Sequence, residues 1–283
     1  MNVADAMTPR SEVVTVELPG TRDDVLSYLQ ERQFSSVPVV KETAEGEEYR
    51  GLVSREALIE APDEDQIALL MDDVPTTTRD TPIEEAARCM VEENARRVPV
   101  VDGRLEGIVT VTDIIFAMAH GDVAGETPVG DLATREVNTT WRETPLPVVE
   151  REISYADTPY VVVLDDDGEM DGIATEVDII EVARVVAGET DTGDSIAGQD
   201  DEWMWEGIKA VGARYMPTRD VEIPADSVSE FMTDDLVTVG GTKTARETAQ
   251  LMIEHDIEQI PLVSGGRLAG IVLDMDLLKA IYE

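Results

Sequence analysis

The sequence predicts a mixed α/β protein, four β-α-β-β-α repeats paired into two modules. Two observations carry this reading: a glycine-led tetrapeptide occurs four times, and a short apolar strand stands ahead of each occurrence. A third is an amphipathic stretch, opened by helix-start residues, ahead of that strand. Recurrence of the same elements in the same order is the mark of a repeat architecture.

The tetrapeptides are Gly-Leu-Val-Ser (Gly51 to Ser54), Gly-Ile-Val-Thr (Gly107 to Thr110), Gly-Ile-Ala-Thr (Gly172 to Thr175) and Gly-Ile-Val-Leu (Gly270 to Leu273). Each reads as a buried strand. The strand before them is Val37-Pro38-Val39-Val40, Val98-Pro99-Val100-Val101 and Ile260-Pro261-Leu262-Val263, and in copy three Tyr160 to Leu164 without proline. A residue that cannot donate to the ladder suits an edge strand. In copy two Ile83, Ala86, Ala87 and Met90 follow helical spacing. Thr81-Pro82-Ile83-Glu84 supplies an N-cap, a first-turn proline and a glutamate three residues after the cap; Thr244 to Glu247 repeats the box, while Pro145 and Pro147 crowd copy three. Apolar segments after the glycine strands, Asp113 to Met118 and Asp276 to Ile281, read as closing helices.

The repeats occupy 1–62, 66–121, 125–187 and 226–283, and 188–225 is an insertion. Its first part, Gly188 to Asp201, reads as a loop. The second, Glu202 to Tyr215, reads as a helix carrying Trp203, Trp205, Ile208, Val211 and Tyr215, either a lid or docking surface or a helix buried on its own module. A unit of about 60 residues buries too little surface to stand alone. The copies are therefore expected to pair through their sheets, one with two and three with four.

The formal charge of -39 comes from 61 Asp and Glu against 22 Lys and Arg, with lysine only at Lys41, Lys209, Lys243 and Lys279. Such a surface repels itself in dilute buffer, but at ~1 M salt the screening length falls to about 3 Å. The balance resembles that of halophilic archaeal proteins. It argues against nucleic acid, which needs clustered cations, and no basic run is present. The single cysteine, Cys89, excludes a disulfide framework and reads as a small core residue. With neither a signal-like start nor an apolar run able to span a bilayer, the protein is expected in the cytoplasm and off the membrane.

His120 and His255 sit at helix ends by pattern, on the surface, and give no material for a triad or a metal site. Gly193-Asp194-Ser195-Ile196 is similar to a hydrolase signature, but no Asp-x-x-His accompanies it. No catalytic residue or metal ligand is assigned, and the chain is not expected to be an enzyme.

The order Ala-Met-Thr-Pro (Ala6 to Pro9) or Phe-Met-Thr (Phe231 to Thr233), then Pro-Val-Val, then Gly-Ile-Val-Thr-x-x-Asp resembles the cystathionine β-synthase (CBS) domain family. The resemblance covers nearly all of the chain outside the insertion. It implies paired domains, called Bateman modules, in an arrangement similar to the γ subunit of AMP-activated protein kinase and stand-alone archaeal relatives. It also implies clefts that hold adenosine ligands such as AMP, ADP, ATP or S-adenosylmethionine. Carried over by position, the ribose carboxylates are Asp113, Asp178 and Asp276, and the phosphate-facing groups are Thr110, Thr175, Ser54 and Arg97. A carboxylate can accept from both ribose hydroxyls, and a hydroxyl at a helix start shares its phosphate with the helix amides. Copy four departs at Leu273 and copy one at Ala57. The alternative is that these Thr and Asp residues only cap helices. Arg10, Arg135, Arg214 and Arg219 are further phosphate candidates or halves of surface ion pairs.

The function implied is a regulatory sensor that takes an adenine nucleotide as ligand, has no cofactor, forms a homodimer and signals to an unknown protein target. The alternatives are a ligand-free interaction scaffold and an S-adenosylmethionine binder.

Overall fold

The computed structural model describes residues 1–25, 28, 36–44, 46–54, 57–58, 64–182, 184–187, 208–211, 214–217 and 219–282. Copy one contributes α1 (Val3–Ala6), β1 (Thr8–Pro9), β2 (Val16–Glu17), β3 (Ser36–Thr43) and β4 (Gly46–Ser54). Copy two follows with α2 (Ile67–Leu70), α3 (Ile83–Glu92), β5 (Arg97–Val101), β6 (Leu105–Thr110) and α4 (Val111–His120). Copy three holds α5 (Val129–Leu132), β7 (Thr139–Trp141), α6 (Leu146–Ala156), β8 (Tyr160–Leu164), β9 (Met170–Thr175) and α7 (Glu176–Val182). After it come β10 (Arg184–Ala187), β11 (Ile208–Val211), β12 (Arg214–Pro217) and β13 (Arg219–Glu222). Copy four has β14 (Val239–Gly240), α8 (Ala245–His255), β15 (Gln259–Ser264), β16 (Arg267–Leu273), α9 (Asp274–Leu277) and α10 (Lys279–Tyr282).

Two compact units result, one of Met1–Arg135, Val237–Gly265 and Ala269–Glu283, the other of Glu136–Leu236 with Gly266–Leu268. The unit boundary does not follow the repeats, because each repeat lends its opening residues to a neighbour. In the first unit β1 pairs antiparallel with β6 of copy two, Thr8 opposite Ile108, and the Met1 carbonyl accepts from Ile83 N–H at the start of α3 (3.2 Å). Conversely, Asp72 bridges Leu52 of copy one, and Thr134 bridges Ile271 of copy four. In the second unit the opening residues of copy four lie on copy three, with Ser227 against Pro145 and Thr233 against Ile173.

This exchange explains the repeating glycine. A Cβ on Gly107 would stand 2.4 Å from the Thr8 carbonyl oxygen, one on Gly172 2.4 Å from Met232 Sδ, and one on Gly270 2.7 Å from the Thr134 carbonyl oxygen. The lent segment needs the space that any side chain would fill.

The edge position expected for the strand prolines is corrected: β3 and β15, which carry Pro38 and Pro261, are central strands, and β5, outermost in its sheet, still has Thr77 bridged in parallel to Val100, the residue after Pro99. Pro38 and Pro261 are accommodated because the parallel neighbour pairs only from the residue after proline, Val16 with Val39 and Val239 with Leu262. Copy three, lacking the proline, pairs one position earlier: Val162, in the register of Pro99, donates its N–H to the Asn138 carbonyl at 2.9 Å.

In the first unit one core joins copies two and four through their helices, a union absent from the expected pairing of one with two and three with four. Ile83, Met90, Ile114 and Met118 share it with Ala249, Met252, Leu277 and Leu278. Copy one keeps a smaller core around Val25, Val37, Val53 and Ile67. In the second unit copy three keeps its own around Leu146, Val149, Ile153, Val161 and Val163.

Three further expectations are corrected. Thr81 does not cap α3; its hydroxyl accepts from Thr78 N–H at 3.3 Å, and the helix starts at Ile83, whose N–H is taken up by Met1. Thr244 does cap, accepting from Glu247 N–H at 3.2 Å. Cys89 is half-buried rather than core; burial and the surrounding Glu93, Glu92 and Glu85 push its thiol up. Within the insertion, the described part of the segment expected to be helical is strand: Ile208–Val211 forms β11, which pairs antiparallel with β12, Ile208 opposite Pro217. The loop expected at Gly188 to Asp201, and Trp203 and Trp205, lie outside the described residues.

Candidate functional site

Copy two assembles the fullest set. β6 ends at Thr110, which serves as N-cap of α4, and Asp113 stands at the third position of the helix. Thr110 donates from both N–H and Oγ1 to Asp113 Oδ2, each at 2.8 Å, and accepts at Oγ1 from Asp113 N–H at 3.2 Å. The capping alternative is therefore realised, but it uses one carboxylate oxygen. Oδ1 of Asp113 accepts no hydrogen bond among the described residues.

Antiparallel pairing of β5 with β6 sets Arg97 directly opposite Thr110. Burial pushes the Asp113 carboxyl above the usual carboxylate range, opposed by the Thr110 bonds and the charge of Arg97. A hydroxyl, a carboxylate with an open oxygen and a guanidinium thus converge where a strand meets a helix start.

Copy three repeats the first two groups. Thr175 donates to Asp178 Oδ2 from N–H at 2.7 Å and from Oγ1 at 2.8 Å, leaving Oδ1 without a hydrogen bond among the described residues. Opposite Thr175 stands Tyr160, fully buried, in place of arginine. The motif spacing could not reveal this difference, because the residue arrives from the paired strand.

Copies one and four diverge further. Ser54 Oγ accepts from Ala57 N–H at 3.0 Å, so the serine caps with alanine at the position where copies two and three have aspartate. Asp276 is 5% exposed and has both oxygens engaged: Oδ2 accepts from Leu273 N–H at 3.1 Å, and Oδ1 from Lys279 Nζ at 2.8 Å.

Sequence reasoning missed the partners of this last loop. Arg96, beside Arg97, reaches across from copy two and binds Asp274 through two bonds, 3.0 and 2.6 Å, and Glu258 at 3.0 Å. The doubled arginine before Val98 was the available signal, but its second partner lies far along the chain.

The other arginine candidates are committed elsewhere or undescribed. Arg10 donates to Glu47 at 2.7 Å, to Thr15 Oγ1 at 3.0 Å and to the Val13 carbonyl at 3.0 Å. It lines a cleft of about 970 Å³ with Arg79, Arg104 and Glu106, at the hairpin-turn end of β5 and β6, away from Thr110 and Asp113. Arg135 donates to the Ala269 and Gly130 carbonyls. The side chains of Arg214 and Arg219 lie outside the described residues. His120 and His255 end α4 and α8 and are exposed. No helix among the described residues is long and apolar enough to cross a membrane.

A family model described as the CBS domain matches residues 3–64, 66–120, 129–184 and 228–283. A curated protein of Methanocaldococcus jannaschii, itself uncharacterized, is 27% identical over 283 residues, covering 99% of this chain and 62% of its own length. The chain thus spans less than two thirds of that relative. The crystal structure of an uncharacterized conserved protein from Pyrococcus horikoshii superposes with a TM-score of 0.70 at 27% identity, covering 99% of this chain and 100% of that one. A second Methanocaldococcus jannaschii protein, described as an archaeal homologue of g-AMPK, gives a TM-score of 0.69 at 20% identity over 99% of both chains, a likeness of fold alone.

Proposed function

Because the chain belongs to the CBS domain family, we propose that it is a non-enzymatic regulatory protein that binds adenosine-containing ligands at the motif loops of copies two and three. In this reading Asp113 and Asp178 grip the ribose through their open oxygens. Thr110, Thr175 and Arg97 face the phosphate. One observation carries the reading: in both loops the helix cap is complete with one carboxylate oxygen, and the other is left over. The open oxygen can accept a hydrogen bond from a ribose hydroxyl while the cap stays intact.

Occupancy would reach a protein target, or a second copy of the chain, through a ligand that binds two arrangements of the protein unequally. Copy two, with Arg97, is the better phosphate site; copy three, with Tyr160 there, is the better site for a ligand with less negative charge. Alanine at 57, in place of the motif carboxylate, makes copy one the poorest.

Isothermal titration of the whole chain in multimolar KCl with AMP, ATP and S-adenosylmethionine tests this. Binding that Asp113→Ala and Asp178→Ala each weaken is the expected result. Unchanged heats in both variants would refute the residue assignments, and silence with every adenosine ligand would favour a ligand-free scaffold.

A further inference from the structure

We propose that copy four is shut to ligand by the chain's own cations: Lys279 occupies its motif carboxylate, and Arg96 of copy two anchors the same loop through Asp274. Lys279 is thus a specificity-determining residue, deciding which motif carboxylates remain available. The inference deepens the nucleotide reading above and rests on it.

The three motif aspartates share one local geometry and differ in one respect. Each takes a bond on Oδ2 from the backbone N–H three residues earlier, at 2.8 Å for Asp113, 2.7 Å for Asp178 and 3.1 Å for Asp276. Oδ1 is open in the first two, whereas in Asp276 it holds the Lys279 ammonium at 2.8 Å. The ion pair joins an Asp276 side chain that is 7% exposed to a Lys279 side chain that is 33% exposed, so solvent screens it less than a pair exposed on both sides. A ribose hydroxyl, being neutral, would have to displace an ammonium from a buried carboxylate. That exchange replaces a charge pair with a single charge-assisted bond and strands Lys279.

The rest of the loop is equally committed. Asp274, 4% exposed, takes both Arg96 bonds and caps Met275 N–H at 2.7 Å. Backbone bonds reinforce this: Val111 N–H donates to the Arg96 carbonyl at 3.0 Å, and Asp274 N–H to the Glu258 carbonyl at 2.8 Å, the same position in the two copies. The loop therefore carries a fixed anion where copy two has the apolar Val111, and Leu273 offers no hydroxyl. It is built as a clasp between two helical layers that already share a core.

The test uses the full chain and two readouts. In titrations with AMP, Asp276→Asn is expected to leave the number of bound molecules unchanged and the affinity within twofold of wild type. Loss of one binding event in that variant would overturn the proposal. In the unmodified protein, acylation followed by mass spectrometry should label Lys279 more slowly than Lys243, with a rate that saturating AMP does not change. A change in Lys279 labelling on adding AMP would overturn it as well. If wild type binds no AMP at all, the nucleotide reading fails on its own. The clasp is then judged by labelling: faster Lys279 acylation in Asp276→Asn supports it, and an unchanged rate sinks it.

Discussion

Replacing Asp113 by asparagine separates two roles that one carboxylate holds. The amide keeps an oxygen to accept from Thr110 N–H and Oγ1, which now meet Asp113 Oδ2 at 2.8 Å each, so the helix cap persists. What is lost is the charge behind any bond that Oδ1 accepts from a ligand hydroxyl. A hydrogen bond to a charged group contributes about 1.5–3 kcal/mol, so AMP affinity should fall roughly ten- to a hundredfold. Stability should move the other way. Burial raises the Asp113 carboxyl, so folding favours its protonated form. Its stabilising contribution is full below the unfolded value of about 4 and is lost as pH rises through the raised folded value. At neutral pH the variant, with no charge to bury, should melt no lower than wild type. Titration with AMP at pH 7 and thermal unfolding across pH 4 to 7, both in multimolar KCl, give the two numbers. Undiminished affinity, or a melting temperature lowered as much as by Thr110→Val, would refute the division of labour between the two oxygens.

Gly107→Ala should destabilise by about 1–3 kcal/mol in denaturant titrations, since its Cβ would meet the Thr8 carbonyl oxygen at 2.4 Å. Arg96→Ala leaves Asp274 buried without its counter-ion and should cost about 3 kcal/mol, near the low end for such pairs because the arginine side chain is 39% exposed. Arg50→Ala, which removes an exposed pair with Glu48, should cost less than about 1 kcal/mol by the same assay. Raising KCl from 0.1 to 1 M shortens the screening length from about 10 Å to about 3 Å. With a net charge of -39, the melting temperature should climb over that range, and a flat profile would argue that the acidic surface does not limit stability.

The repeat unit was legible because its signals are local. Glycine strands, the strands before them and the Thr244 cap each depend on residues within a few positions of one another, and their periodicity is set by backbone geometry. The motif pairs Thr110 with Asp113 and Thr175 with Asp178 could be found for the same reason: a cap and its third helical residue are neighbours in sequence. The failures share the opposite cause. Whether Pro38 sits on an edge or in the centre depends on where β2 begins to pair, and the hairpin in the insertion depends on Ile208 meeting Pro217 across the strands.

Sequence alone determined the four units, their order and the carboxylates offered at each strand-to-helix junction, because short-range sterics and capping write those directly into residue order. Tertiary structure decided which carboxylates stay open. Arg97 faces Thr110 by strand register, Tyr160 replaces it in copy three, and Lys279 and Arg96 fill the loop of copy four. Such choices turn on side chains that strand register and folding bring together, and separation along the chain carries no information about them.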